Sequence, residues 1–322
     1  MSPTEPARSV ILAADLPAAP LARLTEASHV VRARPAVEPG LFAAATPAAD
    51  GIIVTSKVRL DAGFFDAAQK LRVVSTVSVG LDHIDLVSAA RHGVSVTTTP
   101  VLTDAVADLV LALMVMLARR LPESAGLAAS GRWLEAPLGH DLSHKRLLVV
   151  GFGRIGREVA RRALACRMHV AFVDRRHDLP EMDGVAREPD LHAALARADF
   201  VSLHVDLNAA TRHLIGAAEL ALMKPTAYLV NTARGGIVDQ LALQAALATG
   251  RLADAGLDVL EQEPPDLREA LLAEPRAIVL PHIGSATTET RAAMASLAVD
   301  NVLACLSGEG CAYLVPPAVT QE

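Results

Sequence analysis

The sequence predicts an α/β protein made of two doubly wound parallel-sheet domains. Short β-rich runs alternate with stretches of helical spacing along the chain. Those runs are almost continuously apolar, as strands covered on both faces must be. One of them also leads straight into a glycine-rich turn, GFGRIG at Gly151–Gly156.

In the first hundred residues the strand candidates are Val10–Ala13, Val30–Ala33, Gly51–Thr55, Leu71–Val77 and Val94–Thr98. Between them LARLTEA, LFAAATPAA and DAGFFDAAQ repeat apolar residues at helical spacing. A long apolar stretch follows at Ala105–Ala118; it contains Asp108 and is too short for a bilayer of about 30 Å, so it predicts a buried helix. The second series predicts strands at Arg146–Val150, His169–Val173, Phe200–His204 and Ala227–Asn231. Short apolar runs at Ala255–Val259 and Ala277–Leu280 complete its sheet. Its helices are expected after Arg154, near Pro189–Ala196, around Ala217–Met223 and over Gln240–Ala248. A last helix, about Thr288 to Leu306, is placed to return the chain to the first domain. No internal repeat or low-complexity linker is visible.

A chain of 322 residues that is 52% hydrophobic and 20% charged is long and apolar enough for two buried cores. The net charge of −6 and the 3% aromatic content argue against nucleic acid as a partner, which needs a basic or stacking surface. Cys166, Cys305 and Cys311 form no CxxC pair, and MSPTEPARSV does not read as an export signal. The thiols are therefore expected reduced and the protein cytoplasmic, with no membrane partner and no metal.

In GFGRIG, Gly151 makes the tight turn, Gly153 admits a pyrophosphate, and Gly156 lets helix and strand pack closely. The following helix offers its unpaired N–H groups and dipole to phosphates. The next strand ends in Asp174, where a carboxylate accepts ribose hydroxyls and repels a 2′-phosphate. Arg175 and Arg176 follow and point the other way. NAD(H) is favoured, with NADP(H) the alternative.

Three further residues complete a hydride-transfer constellation: Arg234 in NTARGG, Glu263 in DVLEQEP and His282 in PHIGSAT. A cation, a carboxylate and an imidazole at strand-to-loop junctions after a nucleotide motif are what reducing a 2-keto acid requires. Glu261 competes with Glu263 as the relevant acid. The other ten histidines, among them His83, His140 and His204, read as structural or peripheral; His204 comes nearest the cofactor.

VSVGLDHID (77–85), TPVLTDAVADLVLALM (99–114), GFGRIG, NTARGGIVD (231–239), AGLDVLEQEP (255–264) and PHIGSAT (281–287) resemble the D-isomer-specific 2-hydroxyacid dehydrogenase family, most of all its glyoxylate/hydroxypyruvate reductase branch. The resemblance implies a flavodoxin-like substrate domain of residues 1–101 and 289–322. Residues 102–288 would form a Rossmann nucleotide domain, with substrate bound between the two. It further implies that Arg234 binds the carboxylate and keto oxygen, that His282 is the general acid, and that Glu263 holds and favours the imidazolium. The backbone of Ser78, Val79 and Gly80 would cap the substrate carboxylate, and Asp258 would contact the nicotinamide carboxamide. Cofactor contacts are implied for Gly151, Gly153, Arg154, Ile155, Gly156, Asp174, Arg175, His204, Thr232, Ala233, Arg234, Asp258, His282 and Ser285.

The resemblance also implies a homodimer. Trp133 would line a substrate pocket or pack in place, and substrate size would depend on Thr55–Arg59, Leu102 and Trp133. Three departures stand out: His204-Val205-Asp206-Leu207-Asn208 where relatives read H-x-P-L-T, Asp108 for glutamate, and Val79 where the phosphite-oxidising branch has lysine. Two rival readings remain. One is the same chemistry on a larger 2-keto acid such as 2-ketogluconate; the other is an NAD(H)-sensing binding protein of corepressor type.

Overall fold

The computed structural model describes residues 8–101 and 103–316. Leu102 and most of the chain's start, on which two of the readings above rest, lie outside them. The chain packs as two compact units, Met1–Leu102 with Ala286–Glu322, and Thr103–Ser285.

The first unit holds β1 (Ser9–Ala13), β2 (His29–Arg32), β3 (Gly51–Val54), β4 (Val73–Thr76) and β5 (Ser95–Thr97) in one parallel sheet of order β2-β1-β3-β4-β5. Alternation along a strand explains why these runs are apolar throughout. In β1, Ile11 and Ala13 enter one core while Val10 and Leu12 enter the core on the opposite face. That second core is closed by the helix Thr288–Ser307, through Met294, Ala298, Val299 and Val302. The chain continues to an antiparallel bridge between Leu314 and Thr97 on the β5 edge.

The second unit contains β6 (Arg146–Val150), β7 (His169–Val173), β8 (Val185–Arg187), β9 (Phe200–Leu203), β10 (Tyr228–Asn231), β11 (Asp254–Leu257) and β12 (Ala277–Val279). The order is β12-β11-β10-β9-β6-β7-β8, all parallel, so the winding reverses between β6 and β9. Ligands of such sheets bind beyond the strand ends at that reversal. In β6, Leu147 and Val149 pack on one face and Leu148 and Val150 on the other. The apolar stretch is a helix, Thr103–Ala118, about 24 Å long, with Leu113 and Leu117 packed on Gly256 of β11. Among the described residues no helix is long and apolar enough to cross a membrane.

Two results differ from expectation. The short β8 and the helices Leu86–Arg91 and Leu121–Ala129 were not anticipated. Three residues of β8 carry no measurable period, and the helix Leu86–Arg91 is signalled mainly by its cap, Asp85, which accepts the N–H groups of Val87 and Ser88. The expectation of three reduced thiols is corrected: Cys305 and Cys311 form a disulfide, and Cys166 is free. The last helix stops at Gly308, whose φ of 83° turns the chain back. The two cysteine Cα atoms thereby come within 5.3 Å across six residues, a spacing no CxxC pattern covers.

Candidate active site

In the second unit the strand ends bring several loops together. Gly151 follows β6 with a φ of 94°, and a Cβ there would lie 2.6 Å from the His204 carbonyl oxygen, so the loops after β6 and β9 meet backbone to backbone. A Cβ on Gly156 would lie 2.2 Å from the Gly151 oxygen, so only glycine lets the helix Arg154–Ala165 start here. Gly153 differs: the nearest atom to its Cβ position is Arg176 Nη2 at 3.8 Å, so the protein itself leaves that space open. No side chain caps the helix, so the N–H groups at its start, those of Arg154 and Ile155, are not taken by a capping side chain.

Asp174 sits at the end of β7 with its side chain 8% exposed. Its Oδ2 accepts Phe152 N–H at 2.8 Å and Arg176 Nη2 at 3.1 Å; its Oδ1 accepts Arg176 N–H at 2.9 Å and Nε at 3.2 Å. Burial opposes the charge, but the Arg176 hydrogen bonds, with that of Phe152, hold the carboxyl at about 2. Arg175 is exposed, and it is Arg176 that faces the glycine loop.

At the end of β10, buried Asn231 knits the next loop. Its Oδ1 accepts Ala233 N–H at 3.1 Å and its Nδ2 donates to the Arg234 carbonyl at 2.8 Å. The sequence reading missed Asn231, although its place at a strand end before TAR is the signal for a loop-organising amide. Arg234 is half-buried, with Nη1 donating to the Ala233 carbonyl at 2.8 Å. Thr232 Oγ1 is buried with no hydrogen-bond partner, a polar atom that a ligand would satisfy. Gly235 lies against the next loop, where a Cβ would fall 2.0 Å from the Leu260 carbonyl carbon; this explains the glycine directly after Arg234.

Glu263 Oε1 accepts Leu260 N–H at 3.1 Å, and Oε2 lies 2.6 Å from His282 Nδ1. Burial works against the Glu263 charge, yet His282, the Leu260 N–H and the charge of Arg234 hold its carboxyl below the ordinary value. An ionised carboxylate only accepts, so Nδ1 carries the proton and Nε2 is left for a substrate. His282 has a φ of 56°, a left-handed conformation that a non-glycine residue adopts at a cost of about 1 kcal/mol or more. What holds it is Asp258, only 1% exposed, whose oxygens accept Ile283 and Gly284 N–H, each at 2.7 Å. Burial raises the Asp258 carboxyl, and the two N–H groups pull the other way. The carboxylate expected to face the nicotinamide thus clamps the histidine loop. Ser285 ends that loop half-buried.

Glu261, the competing acid, takes a different histidine: its Oε1 is 2.5 Å from His213 Nε2. His204 bonds Ser202 Oγ through Nε2 at 2.8 Å, and burial pushes its imidazole below the ordinary value. In the first unit, Ser78 Oγ donates to the Gly80 carbonyl at 2.7 Å and meets Thr76 Oγ1 at 3.0 Å; Thr76 in turn contacts His83 Nε2 at 3.0 Å. These bonds shape the turn at Val79 and Gly80, whose N–H groups have no acceptor among the described residues. Trp133 is 75% exposed, so a packing role is not what it has in its own chain. No cluster of His, Cys, Asp and Glu among the described residues is placed to hold a metal.

Comparison with known proteins adds to this geometry. Residues 111–284 match the family described as D-isomer specific 2-hydroxyacid dehydrogenase, NAD binding domain. The chain is 44% identical over 271 residues to a glyoxylate reductase of Korarchaeum cryptofilum, covering 82% of this chain and 80% of that one. It is 43% identical over 314 residues to glyoxylate/hydroxypyruvate reductase B of Erwinia tasmaniensis, covering 94% and 96%. Its fold superposes with a TM-score of 0.87 on the NADPH-dependent glyoxylate/hydroxypyruvate reductase of Sinorhizobium meliloti, solved with NADP and malonate. That protein is 34% identical, with 97% of this chain and 98% of the other covered.

Proposed function

This chain belongs to the D-isomer-specific 2-hydroxyacid dehydrogenase family, and on that premise we propose that it reduces a small 2-keto acid of the glyoxylate or hydroxypyruvate kind to the D-2-hydroxy acid with NAD(P)H. The observation that carries the reading is the Glu263–His282 pair at 2.6 Å, with Arg234 close enough to Glu263 to lower its carboxyl.

The residues present fit a dinucleotide. Gly153 leaves room for a Cβ-sized group, the helix start offers N–H groups, and Thr232 Oγ1 awaits a partner. When bound, the cofactor supplies the hydride for carbon 2 of the keto acid. Arg234 then holds the substrate carboxylate and carbonyl oxygen with its planar fork of donors. As the imidazolium, His282 keeps its Nδ1 proton on Glu263 and gives its Nε2 proton to the carbonyl oxygen as negative charge develops there, which leaves a neutral ring oriented by the ionised Glu263.

NADH is the preferred donor in this reading and NADPH the tolerated one. Asp174 is ionised at the ribose end of the site, but Arg176 already offsets much of its charge. Trp133, Leu134 and Leu138 stand 75%, 97% and 96% exposed within six residues, which supports a second copy of the chain as their cover. The setting proposed is the cytoplasm, where a pool of reduced nicotinamide cofactor is at hand. Steady-state assay of glyoxylate, hydroxypyruvate and 2-ketogluconate with NADH and with NADPH tests the proposal. Turnover of the two smaller acids with catalytic efficiency above that for 2-ketogluconate is expected. No turnover of any keto acid, with cofactor binding intact, would favour the sensor reading instead.

A further inference from the structure

Another histidine–carboxylate pair draws its acid from the same turn as Glu263. His213 Nε2 and Glu261 Oε1 are 2.5 Å apart, both side chains about one third exposed, and they join parts of the chain 48 residues distant. Each partner is also anchored by its backbone to a loop of the site. His213 N–H donates to the Gly236 carbonyl at 2.8 Å, two residues beyond Arg234. Glu261 N–H donates to Gln240 Oε1 at 3.0 Å, and the Leu260–Glu261 peptide is the one that rests on Gly235. Leu260 N–H, one residue back, is the donor that fixes Glu263 Oε1. A continuous path therefore runs from His213 through Glu261 and the turn 260–263 to Glu263, and from there to His282.

His213 takes up a φ of 52° to reach this position, a left-handed conformation of the same kind as that of His282. An exposed pair is worth little as a stabilising contact. The strain and the connections are better accounted for by a task in which geometry matters more than energy.

We propose that His213 and Glu261 form a positioning dyad that fixes the turn carrying Glu263 and so sets the orientation of the His282 ring. The proposal rests on the reading of His282 as proton donor given above. Neither residue touches the substrate in it; both act through Glu263. Proton transfer depends on ring placement to within a fraction of an ångström, so a loosened turn costs rate at the chemical step. Substrate binding by Arg234 is left largely in place.

The test uses full-length enzyme with glyoxylate and the better of the two reduced cofactors. His213→Ala and Glu261→Ala are each expected to lower kcat by about tenfold with the glyoxylate KM changed by less than about twofold. His213→Gln keeps a donor for Glu261 and is expected to recover most of the rate. In the His282→Ala background, His213→Ala is expected to add no further loss, because the group it positions is gone.

A readout without turnover comes from proton NMR of histidine-labelled enzyme. The short Glu263–His282 hydrogen bond is expected to give a low-field imidazole N–H resonance that His282→Ala removes. In His213→Ala that same resonance should broaden or move, and in His213→Gln it should return. Wild-type kcat in His213→Ala, a full additional loss in the His282→Ala background, or an unmoved His282 resonance would each overturn the dyad. The reading of His282 fails separately, by near-normal turnover in His282→Ala itself.

Discussion

Arg176 binds Asp174 with its backbone N–H and both Nε and Nη2, and together with Phe152 N–H it fills both carboxylate oxygens. The acid that would favour NADH is thus held by the cation that would favour NADPH. Removing the acid works twice in one direction, because repulsion of a 2′-phosphate is lost and Arg176 is released to bind it. Asp174→Ala should therefore shift the ratio of catalytic efficiencies toward NADPH by about tenfold or more, the scale of a charge-assisted hydrogen bond. An unchanged ratio would show that Arg176 governs the choice without its partner.

The Glu263 carboxyl is held below its ordinary value, so it remains charged across the neutral range. A group depressed in this way keeps its pairing as pH falls until it is itself protonated, here below 4.5. Glu263→Gln removes the charge at every pH. Turnover at neutral pH should drop by about a hundredfold, with the substrate KM little changed. Equal kcat in wild type and variant would remove Glu263 from the mechanism.

Arg234→Lys keeps the charge and loses the fork. A point ammonium cannot serve a carboxylate and a carbonyl together, so KM should rise and kcat should fall. Lysine performing as well as arginine would reduce Arg234 to a general electrostatic contribution.

The strands were readable because parallel strands buried on both faces are written as plain apolar runs. His169–Val173 and Gln240–Ala248 fall where pattern alone placed them. The glycine turn was readable because three steric demands select one residue type. Distance in sequence hid the rest. Nothing local shows that Asp258 would serve Ile283 and Gly284 across 25 and 26 residues, or that Glu261 would take His213 across 48. Arg175 and Arg176 are equivalent in sequence, and only the turn after β7 decides which guanidinium faces Gly153.

The disulfide makes a simple chemical prediction. Denatured without reductant, the chain should take up one equivalent of an alkylating agent, at Cys166, and three equivalents after reduction. Intact mass distinguishes the two. Three equivalents without reductant would mean that the Cys305–Cys311 bond is not formed in the isolated protein.

His204 supplies a prediction in stability. Its imidazole is pushed below the ordinary value of 6.5 by burial, with Nε2 engaged by Ser202 Oγ. In the unfolded chain the same ring takes up a proton near 6.5, so below that pH the unfolded state binds more protons than the folded one. The stabilising difference is therefore fully present above 6.5 and is lost progressively as the pH falls toward the folded-state value. Urea unfolding at pH 7.5, 6.5 and 5.5 should show wild-type stability falling over the lower interval. His204→Asn, which retains a polar side chain near Ser202 but cannot titrate, should show a flatter dependence there. Parallel curves for the two proteins would mean that the His204 ring protonates as readily in the folded chain as in the unfolded one.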